Sequence, residues 1–214
     1  MTTNPLFVSA TGTGVGKSYS TAMLLSCAKK KGIKAVPFKP IETGVNPVAE
    51  DATMLLALYK DLYGDDSLGV FDITPYTFTL PAAPYVASGK AKISLEAIDE
   101  AFFKLQKISD VVVIEGAGGL LVPIGLDFFM VDLAKRYDAS VFFVSRCGLG
   151  CINDVLLSKK CLDGANLSYE IFFNERDDDL FDTLSKPFLS EYLGDVRMVV
   201  ENEVDDFWDR FLAQ

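Results

Sequence analysis

Short apolar segments alternate with longer amphipathic segments along the chain. The short segments are rich in β-forming residues and lack strict polar alternation, which is typical of strands buried on both faces of a parallel sheet. They predict strands at 6–10, 34–38, 110–115, 140–145, 169–173 and 197–200. The longer segments predict helices at 18–31, 50–63, 94–108, 129–137, 152–163, 178–185 and 205–212.

This alternation favours an α/β fold class, with a doubly wound and mainly parallel sheet that carries helices on both faces. The 214 residues can bury a substantial core, and no repeat or linker divides them. We therefore expect a single domain over 1–214. Segment 65–85 is the only long stretch without a periodic pattern, and such a stretch in a compact domain is often a functional loop.

Composition and charge narrow the classes of function. The net charge of −10 argues against a nucleic-acid surface, because phosphate backbones are bound by clustered Lys and Arg. The apolar runs are too short for a membrane span, and the first residues do not resemble a signal peptide. We therefore expect a cytoplasmic protein with reduced cysteines. The sequence has no histidine, so proton transfer must use carboxylates, amines, water or the substrate.

The first motif is TGTGVGKS at 11–18, between the first predicted strand and the first predicted helix. It matches the phosphate loop G-x-x-x-x-G-K-[ST] except that Thr11 stands at the first glycine. Backbone N–H groups of such a loop bind phosphate, so we expect a phosphate-loop NTPase-like site. The alternative is a glycine-rich turn without a ligand. The expected nucleotide contacts in this loop are Thr13, Gly14, Val15, Gly16, Lys17 and Ser18.

Two later motifs place charged residues at the ends of strands, where ligands of open α/β sheets bind. In FKPIETG at 38–44, Lys39 can enter the same crevice as Lys17, although a strand-end lysine by itself is more simply a solvated one. In VVVIEGAGGLLVPIG, Glu115 ends the strand and can hold Mg²⁺ directly or through water. Asp51 can supply a further oxygen to the metal, or it can simply begin a helix.

A third turn, in SRCGLGCINDVLLSKK at 145–160, is rich in glycine and precedes a helix. The free N–H groups of that helix could bind a carboxylate. A tight turn capped by Asn153 explains the same residues equally well.

Five segments in the order TGTGVGKS, KPIETG, PYTFTLPAAP, IEGAGGLLVP and LGCIN resemble the dethiobiotin synthetase family. The resemblance implies a homodimeric, Mg²⁺-dependent phosphate-loop enzyme of the biotin pathway that uses ATP as a co-substrate. Such an enzyme is a cyclo-ligase that forms carbon–nitrogen bonds. It closes a ureido ring on 7,8-diaminononanoate with CO₂, through an N-carboxylated and then phosphorylated intermediate.

The resemblance also implies a role for each matching residue. Lys39 and Lys17 are the expected catalytic residues. The expected Mg²⁺ set is Ser18, Asp51 and Glu115. Further nucleotide contacts are expected at Asp51, Glu115, Gly116, Ala117, Gly118, Asn174 and Glu175. Substrate contacts are expected at Lys39, Thr43, Leu149, Gly150, Cys151, Ile152 and Asn153, the last five across the dimer interface.

The sequence also departs from the family pattern. Gly14 stands where a glutamate is frequent, and 193–203 lacks the proline-containing turn that usually packs beside the adenine. We therefore expect weakened selectivity for ATP over other nucleoside triphosphates. Two other functions fit the fold: a nucleotide-dependent dimerising regulator, and a switch-type ATPase. The switch-type ATPases carry a second lysine in the loop, where Gly12 stands here.

Overall fold

The computed structural model describes residues 4–174 and 180–213. In chain order its strands are β1 (Leu6–Ala10), β2 (Ala35–Phe38), β3 (Ile41–Thr43), β4 (Tyr76–Phe78), β5 (Val111–Gly119), β6 (Pro123–Gly125), β7 (Phe128–Phe129), β8 (Ser140–Arg146), β9 (Tyr169–Asn174) and β10 (Arg197–Met198). The helices are α1 (Lys17–Lys30), α2 (Glu50–Tyr63), α3 (Val70–Ile73), α4 (Pro84–Ala87), α5 (Leu95–Gln106), α6 (Met130–Arg136), α7 (Cys151–Ala165), α8 (Phe181–Leu184), α9 (Lys186–Leu193) and α10 (Glu201–Leu212).

Six parallel strands form the central sheet in the order β10-β9-β8-β1-β5-β2. In β1, β5, β8 and β9, alternate residues belong to two separate apolar clusters: in β1, Phe7 faces one cluster while Leu6 and Val8 face the other. The first cluster packs α5, α6 and α7 against the sheet, and the second packs α1 and α10. Helices thus cover both faces, and the predicted doubly wound α/β fold is confirmed.

All six predicted strands of the central sheet are present, with small differences at their ends. β5 continues past Glu115 to Gly119, because Gly119 still pairs with Ala10 of β1. The last strand is shorter than predicted and covers only Arg197–Met198. α10 begins at Glu201, four residues earlier than predicted, and α9 was not predicted. The predicted helix at 178–185 is represented by α8, and its first residues lie outside the described ranges.

The segment 65–85, which was expected to be irregular, contains α3 and β4. That expectation was wrong because β4 exists through pairing with β3, in which Ile41 lies opposite Tyr76 and Thr43 opposite Phe78. Next to this pair, Gly44 has a φ of +80° and packs so closely on Pro81 that a Cβ would lie 3.2 Å from the Pro81 Cβ. The small sheet and this packing therefore hold the segment 41–44, which follows Lys39.

No helix in the part of the chain that the structure describes combines the length and the apolar character needed to cross a membrane.

Candidate active site

The phosphate loop connects β1 directly to α1. Thr11, at the position of the missing first glycine, donates its backbone N–H to the carbonyl of Val144 at 3.0 Å. It therefore continues the pairing with β8, a role that does not require glycine. Gly16 has a φ of +110°, and a Cβ there would overlap the side-chain amide of Asn174. Glycine is therefore required at position 16 for both its backbone conformation and its close packing.

Lys17 begins α1 and points back across the loop. Its side chain is buried, and its Nζ donates a hydrogen bond to the carbonyl of Gly12 at 2.8 Å. Burial and the nearby ammonium of Lys39 lower the pKa of Lys17 to about 8, although Glu115 and Asp51 act in the opposite direction. Burial thus leaves the ammonium poorly solvated, and the phosphates of a bound nucleotide would add counter-charge to it.

We expect the affinity for a non-hydrolysable ATP analogue to be roughly constant below about pH 8 and to fall above it. Binding of the anion raises the pKa of Lys17. When the pH of the solution is above the pKa of Lys17 in the free protein, the analogue therefore binds together with a proton that the lysine takes up. The decrease should approach about tenfold per pH unit. Calorimetric titrations in two buffers of different ionisation enthalpy would measure both the affinity and the proton uptake. Lys17→Arg, which stays charged, should not show the dependence; constant wild-type affinity to about pH 10 would contradict the assignment.

Four side chains from different elements meet beside this loop. The Lys39 Nζ donates to Glu115 Oε1 at 2.5 Å and to Asp51 Oδ2 at 3.0 Å. The Ser18 hydroxyl lies 2.9 Å from Glu115 Oε1 and 2.9 Å from Asp51 Oδ1, and its one proton can be donated to either. Lys39 is 4% exposed and Glu115 is fully buried. The structure therefore brings together three residues expected to bind metal and one expected to act on the phosphate.

The two carboxylates keep Lys39 protonated. Burial alone would lower the pKa of Lys39, but the charges of Glu115 and Asp51 outweigh it and raise that pKa above its usual value. In the same way, burial opposes ionisation of Asp51, but Lys39 and the Ser18 hydroxyl hold the pKa of Asp51 below its usual value. The site therefore contains the Lys39 ammonium between two carboxylate side chains.

A cavity of about 420 Å³ opens at this cluster. The sequence did not single out three of its residues: Tyr19, Ile41 and Glu42. Glu42 could have been noticed as a charged residue inside a short apolar strand, since buried carboxylates need a partner. The expected site residues that line the cavity are Thr13, Gly14, Gly16, Lys17, Ser18, Lys39, Thr43, Asp51, Glu115, Ala117 and Gly118.

The donor set suits a hard cation. Ser18, Asp51 and Glu115 offer only oxygen atoms, which are the ligands that Mg²⁺ prefers. The Glu115 Oε2 atom is buried and has no hydrogen-bond partner among the described residues, and a cation would satisfy it. The described residues contain no group of three or more His, Cys, Asp or Glu arranged to hold a metal. A bound Mg²⁺ would therefore take further oxygens from phosphate and water.

The remaining expected nucleotide contacts lie away from this cavity. Gly116 is buried, and a Cβ there would lie 3.1 Å from the ring of Phe7. Glycine therefore allows the close packing of this strand against Phe7. Val15 is also buried, and its carbonyl accepts a hydrogen bond from the Asn174 side-chain amide at 2.9 Å. That amide was expected to face the base. Glu175 lies outside the described residues.

The turn at 149–153 belongs to a different part of the surface. Leu149 is 84% exposed and lines a second cavity of about 600 Å³, which is also lined by Thr11–Val15. Among the described residues, the turn contributes nothing to the cavity that contains Lys39 and Thr43. α7 begins at Cys151, directly after Gly150 with a φ of +90°. Asn153 therefore lies inside the first turn, and its alternative role as the helix cap is wrong.

The fold and the site together define a phosphate-loop α/β protein with two lysines and three carboxylates around one cavity. The sequence pattern of the AAA domain family matches residues 4–201. The chain is 43% identical to ATP-dependent dethiobiotin synthetase BioD of Sulfurovum sp. over 86% of this chain and 88% of that protein. It is 41% identical to the same enzyme of Wolinella succinogenes, over 87% and 88%. The chain belongs to the dethiobiotin synthetase family, whose members are ATP-dependent ligases that form carbon–nitrogen bonds.

Solved structures resemble the chain in fold alone. A putative plasmid partition protein of Borrelia burgdorferi bound to AMPPNP aligns with a TM-score of 0.58 at 15% identity, over 92% of this chain and 85% of that one. The cell division protein MinD of Aquifex aeolicus aligns with a TM-score of 0.54 at 14% identity, over 94% and 86%. The predicted family is thus confirmed by sequence, whereas the switch-type ATPase alternative has only fold similarity behind it.

Proposed function

We propose that the cavity beside the phosphate loop converts 7,8-diaminononanoate, CO₂ and ATP into dethiobiotin, ADP and phosphate. The observation that carries this proposal is the Lys39 ammonium, buried between Asp51 and Glu115 on the wall of the same cavity as Lys17. The family relationship supplies the reaction, and the geometry supports the residues that perform it.

The chemistry needs no nucleophile from the protein. One substrate amine adds to CO₂ and loses a proton to give a carbamate. A carbamate oxygen then attacks the γ-phosphorus of ATP, ADP leaves, and a carbamic–phosphoric anhydride forms. The second amine attacks the carbonyl carbon of this anhydride, phosphate leaves and the ring closes. The chain has no histidine, and none of these steps requires one. The protein only has to position the reactants and neutralise their negative charge.

The two lysines divide the anionic groups between them. Lys17, at the start of α1, is placed to contact the β- and γ-phosphates, as the lysine of a phosphate loop does. Lys39 keeps its proton throughout and stabilises the negative charge shared by the carbamate and the γ-phosphate. When held by Ser18, Asp51 and Glu115, Mg²⁺ would neutralise the charge of the phosphate oxygens. Thr43, on β3, is the proposed contact to the diamine.

The proposal includes a homodimer in which the turn at 149–153 reaches the partner's cavity. Its support is a set of exposed apolar side chains: Leu149 in the turn is 84% exposed, and Leu121 and Leu157, which border one cavity, are 62% and 60% exposed. Such a surface is typical of a contact between subunits. The cytoplasmic location and the absence of nucleic-acid partners stay predictions.

Weak selectivity for the base is also part of the proposal. The Asn174 Nδ2 donates to Val15 inside the protein, so that hydrogen is engaged with the loop instead of the nucleotide. We expect similar turnover numbers with ATP, GTP and CTP, measured with the same diamine and Mg²⁺ concentrations. A hundredfold preference for ATP, on the order of 3 kcal/mol, would contradict this expectation.

The reaction itself can be tested by mass spectrometry. The purified protein is incubated with diaminononanoate, bicarbonate, Mg²⁺ and ATP. The expected product is heavier than the diamine by one carbonyl group and lighter by two hydrogens, with one ADP and one phosphate formed per product. Phosphate release without this product would indicate an ATPase with another acceptor. Bound nucleotide without any turnover would favour the dimerising regulator.

A further inference from the structure

Glu42 is a buried carboxylate that the proposed chemistry does not use. It lies in β3, is 6% exposed and lines the same cavity as Lys39. A cavity that receives a triphosphate and a carbamate gains nothing from another negative charge, because like charges repel strongly where water is excluded. The position of Glu42 therefore requires a different explanation.

The two oxygens of Glu42 accept hydrogen bonds from two consecutive backbone amides. Oε1 accepts from the N–H of Asp51 at 3.0 Å, and Oε2 accepts from the N–H of Ala52 at 2.9 Å. Both amides are in the first turn of α2, where N–H groups lack partners within the helix. Ala49 stands at the N-cap position and offers no side-chain acceptor. Glu42 thus replaces the missing cap, and the helix dipole favours its negative charge.

The helix start that Glu42 holds also carries the Asp51 carboxylate. Its Oδ1 accepts from the Ser18 hydroxyl and its Oδ2 from the Lys39 ammonium. The Asp51 side chain is 42% exposed, so packing around the carboxylate restrains it only weakly. Besides these two hydrogen bonds, its position therefore depends on the backbone at residue 51, whose N–H Glu42 accepts directly.

We propose that Glu42 is a positioning residue, which fixes the first turn of α2 through the amides of Asp51 and Ala52 and thereby holds the Asp51 carboxylate against Lys39 and the nucleotide-bound Mg²⁺. The effect on turnover rests on the proposed function. The anchoring of α2 does not, because it can be measured without any reaction.

Glu42→Gln tests the anchoring with little change of shape. Glutamine keeps one acceptor oxygen but turns an NH₂ group toward an N–H of α2. We expect hydrogen exchange at the Asp51 and Ala52 amides to become roughly tenfold faster, and the Mg²⁺ affinity of the ADP complex to fall roughly tenfold, as for other residues that orient a metal ligand. The turnover number should fall by a similar factor, with the KM for the diamine unchanged.

Glu50→Gln is the matched control. Glu50 is exposed in the same first turn of α2, so this variant removes the same charge near the helix terminus without touching the two amides. Exchange, Mg²⁺ affinity and turnover should stay at wild-type values. Equal effects of Glu42→Gln and Glu50→Gln would show a general charge effect and would overturn the proposal.

A second substitution should rescue the first. In Glu42→Gln with Ala49→Ser, the serine hydroxyl at the N-cap can accept from the Ala52 N–H. Slow exchange should return together with most of the Mg²⁺ affinity. Restored exchange with Mg²⁺ affinity still low would overturn the proposal, as would a Glu42→Gln variant that loses thermal stability but keeps both Mg²⁺ affinity and turnover. If wild-type protein makes no dethiobiotin, the proposed function fails while the exchange and Mg²⁺–ADP measurements still decide the role of Glu42.

Discussion

Lys39→Ala should lower the turnover number by about a hundredfold to a thousandfold, while nucleotide affinity changes only a few-fold. Removing a preorganised charge that acts on the developing transition state costs about 3–4 kcal/mol in comparable sites. The triphosphate itself is bound mainly by the loop and by Lys17, which this substitution leaves in place. The product assay by mass spectrometry and a calorimetric titration with an ATP analogue measure the two quantities separately.

Stability has to be followed in the same experiment. Lys39 is the ion-pair partner of the fully buried Glu115, and removing one partner of a buried pair costs about 3–5 kcal/mol of folding free energy. We therefore expect a lower melting temperature for ligand-free Lys39→Ala, and a larger rise on addition of Mg²⁺ and ADP than wild type shows. Lys104→Ala, on the exposed surface of α5, is the matched control and should behave as wild type. Wild-type turnover in a folded Lys39→Ala protein would remove Lys39 from the mechanism.

Glu115→Gln should reduce turnover by about a hundredfold and raise the Mg²⁺ concentration needed for half-maximal rate by about tenfold. The substitution keeps the shape of the side chain but removes the charge that Lys39 contacts and the oxygen left without a partner. Initial rates over a range of Mg²⁺ concentrations, at saturating ATP and diamine, would measure both effects.

Asp51→Asn provides an informative comparison for Glu115. The Asp51 side chain is 42% exposed whereas that of Glu115 is fully buried. Water can therefore replace the metal-binding oxygen of Asp51 more easily than that of Glu115. We therefore expect a smaller loss of turnover for Asp51→Asn. Glu100→Gln, which changes an exposed carboxylate on α5, should have no effect. An unchanged Mg²⁺ requirement in Glu115→Gln would exclude Glu115 as a metal ligand.

Local patterns along the chain were sufficient for much of the fold. The predicted strand at 6–10 and the predicted helix at 50–63 coincide with β1 and α2, because the first is a short apolar run before a glycine-rich loop and the second is a longer amphipathic segment. The short elements were not predictable in this way. β3 and β4 have three residues each and are stabilised by pairing with one another, and such pairing leaves little signal in either segment alone.

The sequence by itself determined the phosphate loop, the α/β fold and the family, because these depend on residues that are neighbours along the chain or recur in a fixed order. It also raised two interpretations of Asp51. Asp51 does lie in the first turn of α2, beside Ser18 and Lys39, and its role as a metal ligand stays a prediction. Only the tertiary structure decided that Lys39, Asp51 and Glu115 share hydrogen bonds, and that Glu42 caps α2. These contacts join different elements, and their distances are set by how the strands and helices pack around the sheet.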